Sequence, residues 1–274
     1  MKKIALIVNF DKDNSRSIAT ELISLLKDKA EVYCPLSDAH LLPGTIGKED
    51  SELFSSCPIV AVLGGDGTII AAAKKCAPYE NILVGINTGN LGYLSLTEGA
   101  HLSKAVEALL SDDIHYDDRY MLCVNIHSQG KIIATYHALN EVVLSRTDAS
   151  KLMDITAYSD SKTVCSYRAD GIIAATPTGS TAYSLSAGGP VVSPDADAML
   201  LTPICPHMLR ARCIVLPPKR IEIKSESPST LSVDGQIFVS LNTDDYISIE
   251  KSKYSARLAH SEDMSFYDIL QKKL

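Results

Sequence analysis

Hydrophobic positions in the first part of the chain form short apolar runs, which are separated by segments with helical spacing. Residues 4–8 and 30–34 suit strands, and apolar side chains recur at helical spacing across residues 18–26. Residues 59–63 are apolar throughout, which is typical of a parallel strand that is buried on both faces. The alternation of strands and helices predicts a parallel, doubly wound α/β sheet.

This alternation continues through roughly the first 115 residues and then gives way to successive short strands. A helical stretch at residues 68–75 precedes a strand at 82–86, and helical spacing returns at 102–110. The strands expected after that point cover residues 121–127, 131–136, 141–146, 152–158, 163–168, 221–224, 237–239 and 246–249. This succession, with alternating apolar and polar residues in the later strands, predicts an antiparallel β-sandwich.

The length and the change of pattern together predict two domains. A chain of 274 residues exceeds the usual size of one hydrophobic core. We assign the α/β domain to residues 1–115 and the β-rich domain to residues 116–252. Residues 264–274 have a helical pattern, and residues 253–274 are predicted to fold back and complete the first domain.

Composition and charge narrow the classes of partner. Apolar residues make up 46% of the chain, and the formal net charge is -7, with no run of Lys or Arg in either half. Nucleic acid and anionic membranes are therefore not expected partners, and no apolar stretch approaches the length of a membrane span. The seven cysteines include no CxxC pair, which argues against a disulfide framework or a zinc site. We expect a cytoplasmic protein whose thiols are reduced.

A glycine-rich turn, Gly64-Gly65-Asp66-Gly67-Thr68, directly follows the apolar strand at residues 59–63. Glycines at the carboxyl end of a parallel strand let backbone N–H groups approach phosphate oxygens, and the next helix N-terminus adds positive partial charge. A second glycine-rich turn at residues 87–94 would lie beside the first. The alternative is an ordinary tight turn in which Asp66 caps the helix. The chain has neither GxxxxGKS/T nor GxGxxG, so a Walker-type NTPase is not supported and a dehydrogenase is less favoured.

A second group of candidate residues lies in the β-rich half. Asn140 and Glu141 stand at the start of a predicted strand and can bind sugar hydroxyls, although a solvated turn explains this pair equally well. Residues 176–183 combine small hydroxyl residues with glycine, which permits close approach of an oxygen-rich ligand, and Tyr183 offers a ring for base stacking. Residues 233–236, Val-Asp-Gly-Gln, predict a hairpin turn.

In their order along the chain, these motifs resemble those of the NAD kinase family. The resemblance rests on residues 64–68, 85–94, 139–143, 176–183, 202–207 and 234–236. The first motif is shared with diacylglycerol-type lipid kinases and, in shorter form, with phosphofructokinases, whereas the motifs of the second half are more specific. Two departures, Tyr93 where phenylalanine is common and Cys213 where an Arg-Pro step is usual after Arg212, are not expected to affect the chemistry.

The resemblance implies a kinase, a phosphotransferase with an alcohol group as acceptor. It implies transfer of the γ-phosphate of ATP to the 2′-hydroxyl of the adenosine ribose of NAD, which produces NADP. Asp66 would accept the proton of that hydroxyl, and Gly64, Gly65, Gly67 and Thr68 would form the phosphate loop. The residues implied for NAD binding are Asp66, Gly67, Asn140, Glu141, Lys151, Arg168, Asp170, Thr181, Ala182, Tyr183, Ser186 and Gln236. Lys151 belongs to none of the motifs.

The expected cofactor is a divalent metal, Mg²⁺, which would bridge phosphate oxygens without a dedicated metal site in the sequence. The family also implies a homodimer or homotetramer. A diacylglycerol-type lipid kinase and a non-catalytic sensor of NAD or NADP are the alternatives. The lipid kinase leaves residues 176–183 unexplained, and a pure sensor gains nothing from Asp66 beside phosphates.

Overall fold

The computed structural model describes residues 1–12, 14–89, 92–260 and 265–273. The chain divides into two compact units, of which the first comprises Met1–Asp118 with Ser255–Leu274 and the second Arg119–Tyr254. The first unit is therefore built from two separate segments of the sequence.

Strands alternate with helices up to residue 110, and mainly strands follow from residue 116 onwards, as the apolar pattern predicts. The strands are β1 (Lys2–Val8), β2 (Ala30–Pro35), β3 (Ile46–Lys48), β4 (Ile59–Leu63), β5 (Ile82–Asn87), β6 (Thr97–Glu98), β7 (Tyr116–Ser128), β8 (Lys131–Ala138), β9 (Glu141–Arg146), β10 (Met153–Ser159), β11 (Lys162–Ala169), β12 (Gly171–Ala175), β13 (Met199–Ile204), β14 (Ile214–Leu216), β15 (Ile221–Ser225), β16 (Ser229–Val233), β17 (Ile237–Leu241) and β18 (Tyr246–Ala259). The helices are α1 (Ser15–Leu26), α2 (Asp50–Ser56), α3 (Asp66–Cys76), α4 (Leu102–Leu110), α5 (Tyr183–Ser186) and α6 (Phe266–Lys273).

Parallel pairing runs through the sheet of the first unit, which confirms the predicted fold class there. The strand order is β3-β2-β1-β4-β5, with β6 and the last residues of β18 also pairing in parallel with β5. The chain therefore builds outward from β1 to β3, returns to place β4 on the other side of β1, and continues to β5. Such a reversal is the point of an open α/β sheet where ligands bind, at the carboxyl ends of the strands.

Burial explains why this sheet forms as the apolar pattern predicts. All five residues of β4 are buried between β1 and β5. Helix α1 buries Ala19, Leu22 and Leu26 in the same core cluster as Ile4 and Leu6 of β1. Strand β3 and helix α2 have no counterpart in the prediction, because elements as short as these offer too few apolar positions to show a period.

In the second unit the strands pair in antiparallel fashion. One sheet has the order β14-β13-β12-β9-β16-β17, a second run has the order β11-β10-β15-β18, and β7 and β8 form a hairpin. Side chains from both sets share one core, to which β9 and β12 contribute Leu144 and Ile172, and β10 and β15 contribute Ile155 and Ile223. This shared core confirms the expected sandwich.

The bounds of two predicted helices, α6 and α3, differ slightly from the expected ones. The helical pattern at residues 264–274 corresponds to α6, while residues 264 and 274 themselves lie outside the described residues. The stretch predicted as helical from residue 68 is α3, which begins at Asp66. None of the helices in the described part of the chain has the length and apolar character needed to cross a bilayer.

Candidate functional site

The first glycine-rich turn stands at the carboxyl end of β4, beside the reversal in strand order. The backbone N–H of Gly64 donates to the carbonyl of Ile86 on β5 at 3.0 Å, which fixes the exit of the chain from the sheet. A Cβ at Gly64 would lie 2.4 Å from the hydroxyl oxygen of Thr68, so the tight passage into α3 requires glycine there. The Thr68 hydroxyl is in turn held at 3.1 Å by the side-chain amide of Asn9, which follows β1.

Asp66 is the first residue of α3, and Gly65 is the residue that precedes the helix as its N-cap. The Asp66 carboxylate accepts the backbone N–H of Tyr93 at 2.9 Å and, more loosely, that of Leu94 at 3.3 Å. Asp66 is therefore directed at the second glycine-rich turn, and the alternative in which it caps α3 is not what the structure shows. Gly92 makes this approach possible, because a Cβ there would lie 1.9 Å from a carboxylate oxygen of Asp66.

The second turn extends from the end of β5, and its residues 90 and 91 lie outside the described residues. The side-chain oxygen of Asn87 accepts the backbone N–H of Gly89 at 2.9 Å, which shapes the start of the turn. Together the two turns border a cavity of about 430 Å³ that is lined by Lys12, Asn14, Gly65, Asp66, Asn87, Thr88, Gly89, Gly92 and Lys273. The predicted phosphate loop therefore opens onto a cavity that also contains two lysines, neither of which the sequence pattern identified.

In the second unit, Asn140 and Glu141 are buried at the start of β9 and held there by a third residue, Asp234. The Asp234 carboxylate accepts the backbone N–H groups of Leu139, Asn140 and Glu141 at 3.0, 2.9 and 3.1 Å. Asp234 and Gly235 have positive φ values of 48° and 63°, and the backbone N–H of Gln236 donates to the carbonyl of Val233 at 3.0 Å, which closes the turn between β16 and β17. The predicted hairpin turn is confirmed, and it also carries a buried carboxylate that the turn signal alone did not reveal.

Two oxygen atoms of this pair are unusual for buried groups. Within the described residues, Asn140 Oδ1 and Glu141 Oε2 are enclosed without a hydrogen-bond partner. Burial raises the pKa of the Glu141 carboxyl to about 7, and the nearby negative charge of Asp234 contributes to this rise. A hydrogen bond from the backbone N–H of Tyr183 acts in the opposite direction and lowers this pKa. A ligand that offers hydroxyl groups would satisfy both oxygen atoms.

The segment that follows β12 packs closely on this pair. The hydroxyl of Thr176 donates to the carbonyl of Leu139 at 2.6 Å, and the backbone N–H of Thr176 donates to the carbonyl of Asn140 at 2.9 Å. A Cβ at Gly179 would lie 2.1 Å from that same Asn140 carbonyl oxygen, so only glycine fits. The segment continues as a 3₁₀ turn, Thr178–Thr181, and then as the short helix α5.

The predicted ligand residues on this segment differ in exposure. Tyr183 has 45% of its surface exposed, and Ser186 is exposed, whereas Thr181 and Ala182 are half-buried. The Thr181 hydroxyl donates to the Thr178 carbonyl at 3.3 Å. The exposed Tyr183 ring, next to a buried polar pair, is compatible with stacking on a flat base.

The remaining residues predicted to bind NAD in the second unit lie at other positions than Asn140, Glu141 and Tyr183. Arg168 and Lys151 line a separate cavity of about 480 Å³ together with Ser150, Leu152 and His207. Asp170 forms an ion pair with Arg146 at 3.1 Å, a partner that the sequence did not indicate. Gln236 is exposed and follows the hairpin turn. The structure thus groups Asn140, Glu141 and Tyr183 directly, whereas Arg168 and Lys151 line a different cavity and Asp170 pairs with Arg146.

Comparison with known proteins identifies the family. Residues 4–114 match the model of the ATP-NAD kinase N-terminal domain, and residues 139–261 match the model of the ATP-NAD kinase C-terminal domain. An NAD kinase of Ruminiclostridium cellulolyticum is 35% identical over 280 aligned positions, which cover 100% of this chain and 98% of that protein. The chain belongs to the NAD kinase family. A second NAD kinase, from Caldanaerobacter subterraneus subsp. tengcongensis, is 36% identical with 100% and 99% coverage.

Two solved structures of NAD kinase relatives show the same fold. The crystal structure of yeast NADH kinase in complex with NADH matches with a TM-score of 0.87 and 26% identity, and it covers 99% of this chain and 86% of that one. The NAD kinase of Archaeoglobus fulgidus in complex with ATP matches with a TM-score of 0.76 and 26% identity, covering 99% and 98%. A nicotinamide dinucleotide and ATP are therefore ligands within this group of structures.

Proposed function

We propose that this protein transfers the γ-phosphate of ATP to the 2′-hydroxyl of the adenosine ribose of NAD and so produces NADP. The observation that carries the proposal is the position of Asp66 at the strand-order reversal, within the first glycine-rich turn and hydrogen-bonded to the second. The two halves of the chain also both match ATP-NAD kinase domains. The domain matches also favour NAD over a lipid as the acceptor.

Phosphoryl transfer depends mainly on positioning and on neutralising charge. Backbone N–H groups at residues 64–68 and the N-terminus of α3 would bind phosphate oxygens. Asp66 is held by the N–H groups of Tyr93 and Leu94. From this position it would orient the ribose hydroxyl and accept its proton late in the transfer, since a carboxylate is too weak a base to remove that proton beforehand.

The binding of NAD is proposed to rest chiefly on Asn140 and Glu141, whose buried oxygens are suited to ribose hydroxyls. The Tyr183 ring would stack on a base. The other residues proposed to contact NAD are Asp66, Gly67, Lys151, Arg168, Asp170, Thr181, Ala182, Ser186 and Gln236.

The donor set of the cavity fits a Mg²⁺ ion that arrives with the phosphates. Among the described residues that line it, Asp66 is the single carboxylate, and no three His, Cys, Asp or Glu side chains of the described chain are grouped as a metal site. Mg²⁺ is commonly held by one or two carboxylates and by substrate phosphates. Asp66 would hold it together with the phosphate oxygens, and the ion would offset their negative charge.

The test is NADP formation by the purified protein with NAD, ATP and Mg²⁺, in parallel with Asp66→Asn. We expect ATP-dependent NADP and a loss of turnover of about 10²- to 10⁴-fold in the variant, the usual contribution of a general base. Near-normal turnover in Asp66→Asn would remove Asp66 from the mechanism. Saturable NAD binding without any NADP would instead favour a sensor.

The family resemblance also supports a cytoplasmic enzyme that works as a homodimer or homotetramer. Light scattering on the purified protein, with and without NAD, measures the oligomeric state directly. A monomer at assay concentration would contradict this part of the proposal.

A further inference from the structure

The cavity beside Asp66 contains two positively charged side chains that no sequence motif includes. Lys12 follows β1, and Lys273 stands at the end of α6, more than 250 positions further along the chain. Both line the cavity together with the glycine-rich turns. The fold therefore brings two lysines from opposite ends of the sequence to the proposed phosphate loop.

Helix α6 is placed at this cavity by aromatic contacts with Tyr93. The ring of Phe266 lies 6.4 Å from the ring of Tyr93, and the ammonium group of Lys273 lies 5.8 Å from the centre of the Tyr93 ring. The backbone N–H of Tyr93 is the same group that donates to Asp66. A single residue thus links the end of α6 to the proposed catalytic carboxylate.

Charge explains why lysines are needed at this point. A carboxylate next to a phosphate chain repels it, and the partial charge of one helix N-terminus is only about half an elementary charge. Among the described residues that line the cavity, two ammonium groups add two full positive charges against one carboxylate, that of Asp66. An ammonium is a compact charge that pairs well with phosphate oxygens.

We propose that Lys12 and Lys273 bind the terminal phosphates of the phosphoryl donor, so that α6 completes the donor site. This inference rests on the proposed kinase function and specifies how its donor is held. The recognised chemistry is a chain of linked phosphates, which ATP and inorganic tripolyphosphate share.

Lys273 also has a simpler explanation as a cation near the negative end of α6. Lys272 occupies the same last turn and does not line the cavity, so it provides a matched control. If Lys273 served only the helix, Lys272→Ala and Lys273→Ala would have equal effects. If Lys273 binds phosphates, Lys273→Ala weakens donor binding and Lys272→Ala does not. Lys273→Arg keeps the positive charge and should therefore weaken donor binding less than Lys273→Ala.

The first experiment measures steady-state kinetics of the full chain with ATP and NAD varied separately. For Lys12→Ala and for Lys273→Ala we expect the KM for ATP to rise about 10-fold, the lower end of what a charge-assisted hydrogen bond contributes, with the KM for NAD changed less than about 2-fold. Lys272→Ala should remain close to the unsubstituted protein, and Lys273→Arg, which keeps the positive charge, should have a lower KM for ATP than Lys273→Ala. An unchanged KM for ATP in both alanine variants would overturn the proposal.

The second experiment separates this inference from the proposed function. Calorimetric titration with inorganic tripolyphosphate, at two salt concentrations, requires no turnover. We expect binding that weakens with salt and a smaller salt dependence in Lys12→Ala and Lys273→Ala, because each removes one charge from the site. If NADP formation fails while this pattern holds, the kinase assignment is wrong and the phosphate site stands. Tripolyphosphate binding that is absent, or equal in the unsubstituted protein, Lys12→Ala and Lys273→Ala, would overturn the proposed site. Lys12→Ala tests the site even if Lys273→Ala loosens α6.

Discussion

The first unit presents its candidate ligand groups at an open cavity, as backbone N–H groups of glycine-rich turns and as two lysines. In the second unit, the main candidate groups, Asn140 and Glu141, are buried with oxygen atoms that lack partners among the described residues. Groups of the first kind are hydrated when no ligand is present. Groups of the second kind remain desolvated, which costs free energy until a ligand satisfies them.

This difference indicates two strategies for binding. Open N–H groups and lysines accept any chain of phosphates, and they gain little selectivity from shape. Buried oxygens select for a ligand with hydroxyl groups at matching positions, because an analogue that lacks them leaves the penalty in place. The second strategy also requires a rigid support, and in this chain Asp234 provides it.

The largest effect is expected from removing that support. Asp234→Ala leaves three buried backbone N–H groups without their acceptor, which should lower the free energy of unfolding by about 4 kcal/mol in urea titrations. NAD affinity should fall strongly, while tripolyphosphate affinity should not change. Asp244→Ala, which removes an exposed acid from the loop between β17 and β18, is the control. Equal stability of the two variants would show that the Asp234 contact is not a support.

Glu141 offers a pH test of the buried pair. Its carboxyl pKa is raised from 4.5 to about 7, chiefly by burial, so the native state holds a proton that the unfolded state releases between these values. The free energy of unfolding should therefore fall by about 3 kcal/mol from this group as pH rises from 4.5 to 7. In Glu141→Gln this pH dependence should disappear, whereas the exposed control Glu226→Gln should retain it. Parallel pH profiles of all three proteins would contradict the burial of an acid at this position.

The sequence predicted the elements better than the contacts between them. Apolar runs and helical spacing identified β1, β4 and α1, because their buried faces repeat at a regular period. The glycine-rich turn after β4 and the hairpin at residues 233–236 were also predictable, since their backbone shapes require particular residues. These features depend only on neighbours in the chain.

The supporting residues were not predictable for the opposite reason. Asp234 reaches Asn140 because β16 pairs with β9, a register that no local pattern encodes. Lys273 reaches the cavity only because α6 packs on Tyr93. The family resemblance supplied the names of the candidate ligand residues, whereas the residues that hold or complement them required the structure.

A matched pair of glycine substitutions sharpens the comparison of the two regions. Gly92→Ala would place a Cβ 1.9 Å from the Asp66 carboxylate, and Gly179→Ala would place one 2.1 Å from the Asn140 carbonyl oxygen. Each should cost about 2 kcal/mol of stability by overpacking. Gly92→Ala should lower turnover with little change in NAD affinity, and Gly179→Ala should lower NAD affinity. Gly65→Ala is the control for stability, because a Cβ at Gly65 would meet open space.

The smallest effect is expected from the ion pair of Arg146 and Asp170. Both side chains are little more than a quarter exposed, at 28% and 26%, and their contact is 3.1 Å. Arg146→Gln should therefore reduce the free energy of unfolding by about 1 kcal/mol, as for a partly screened pair. If Asp170 contacts NAD, losing the partner that orients it should raise the KM for NAD by about 3-fold, the equivalent of a weak hydrogen bond.

The control is Arg220→Gln, which breaks the more exposed pair with Glu222. This variant should change stability less and leave the KM for NAD unaltered. A KM for NAD that is equal in the two variants would assign the Arg146 pair to structure alone.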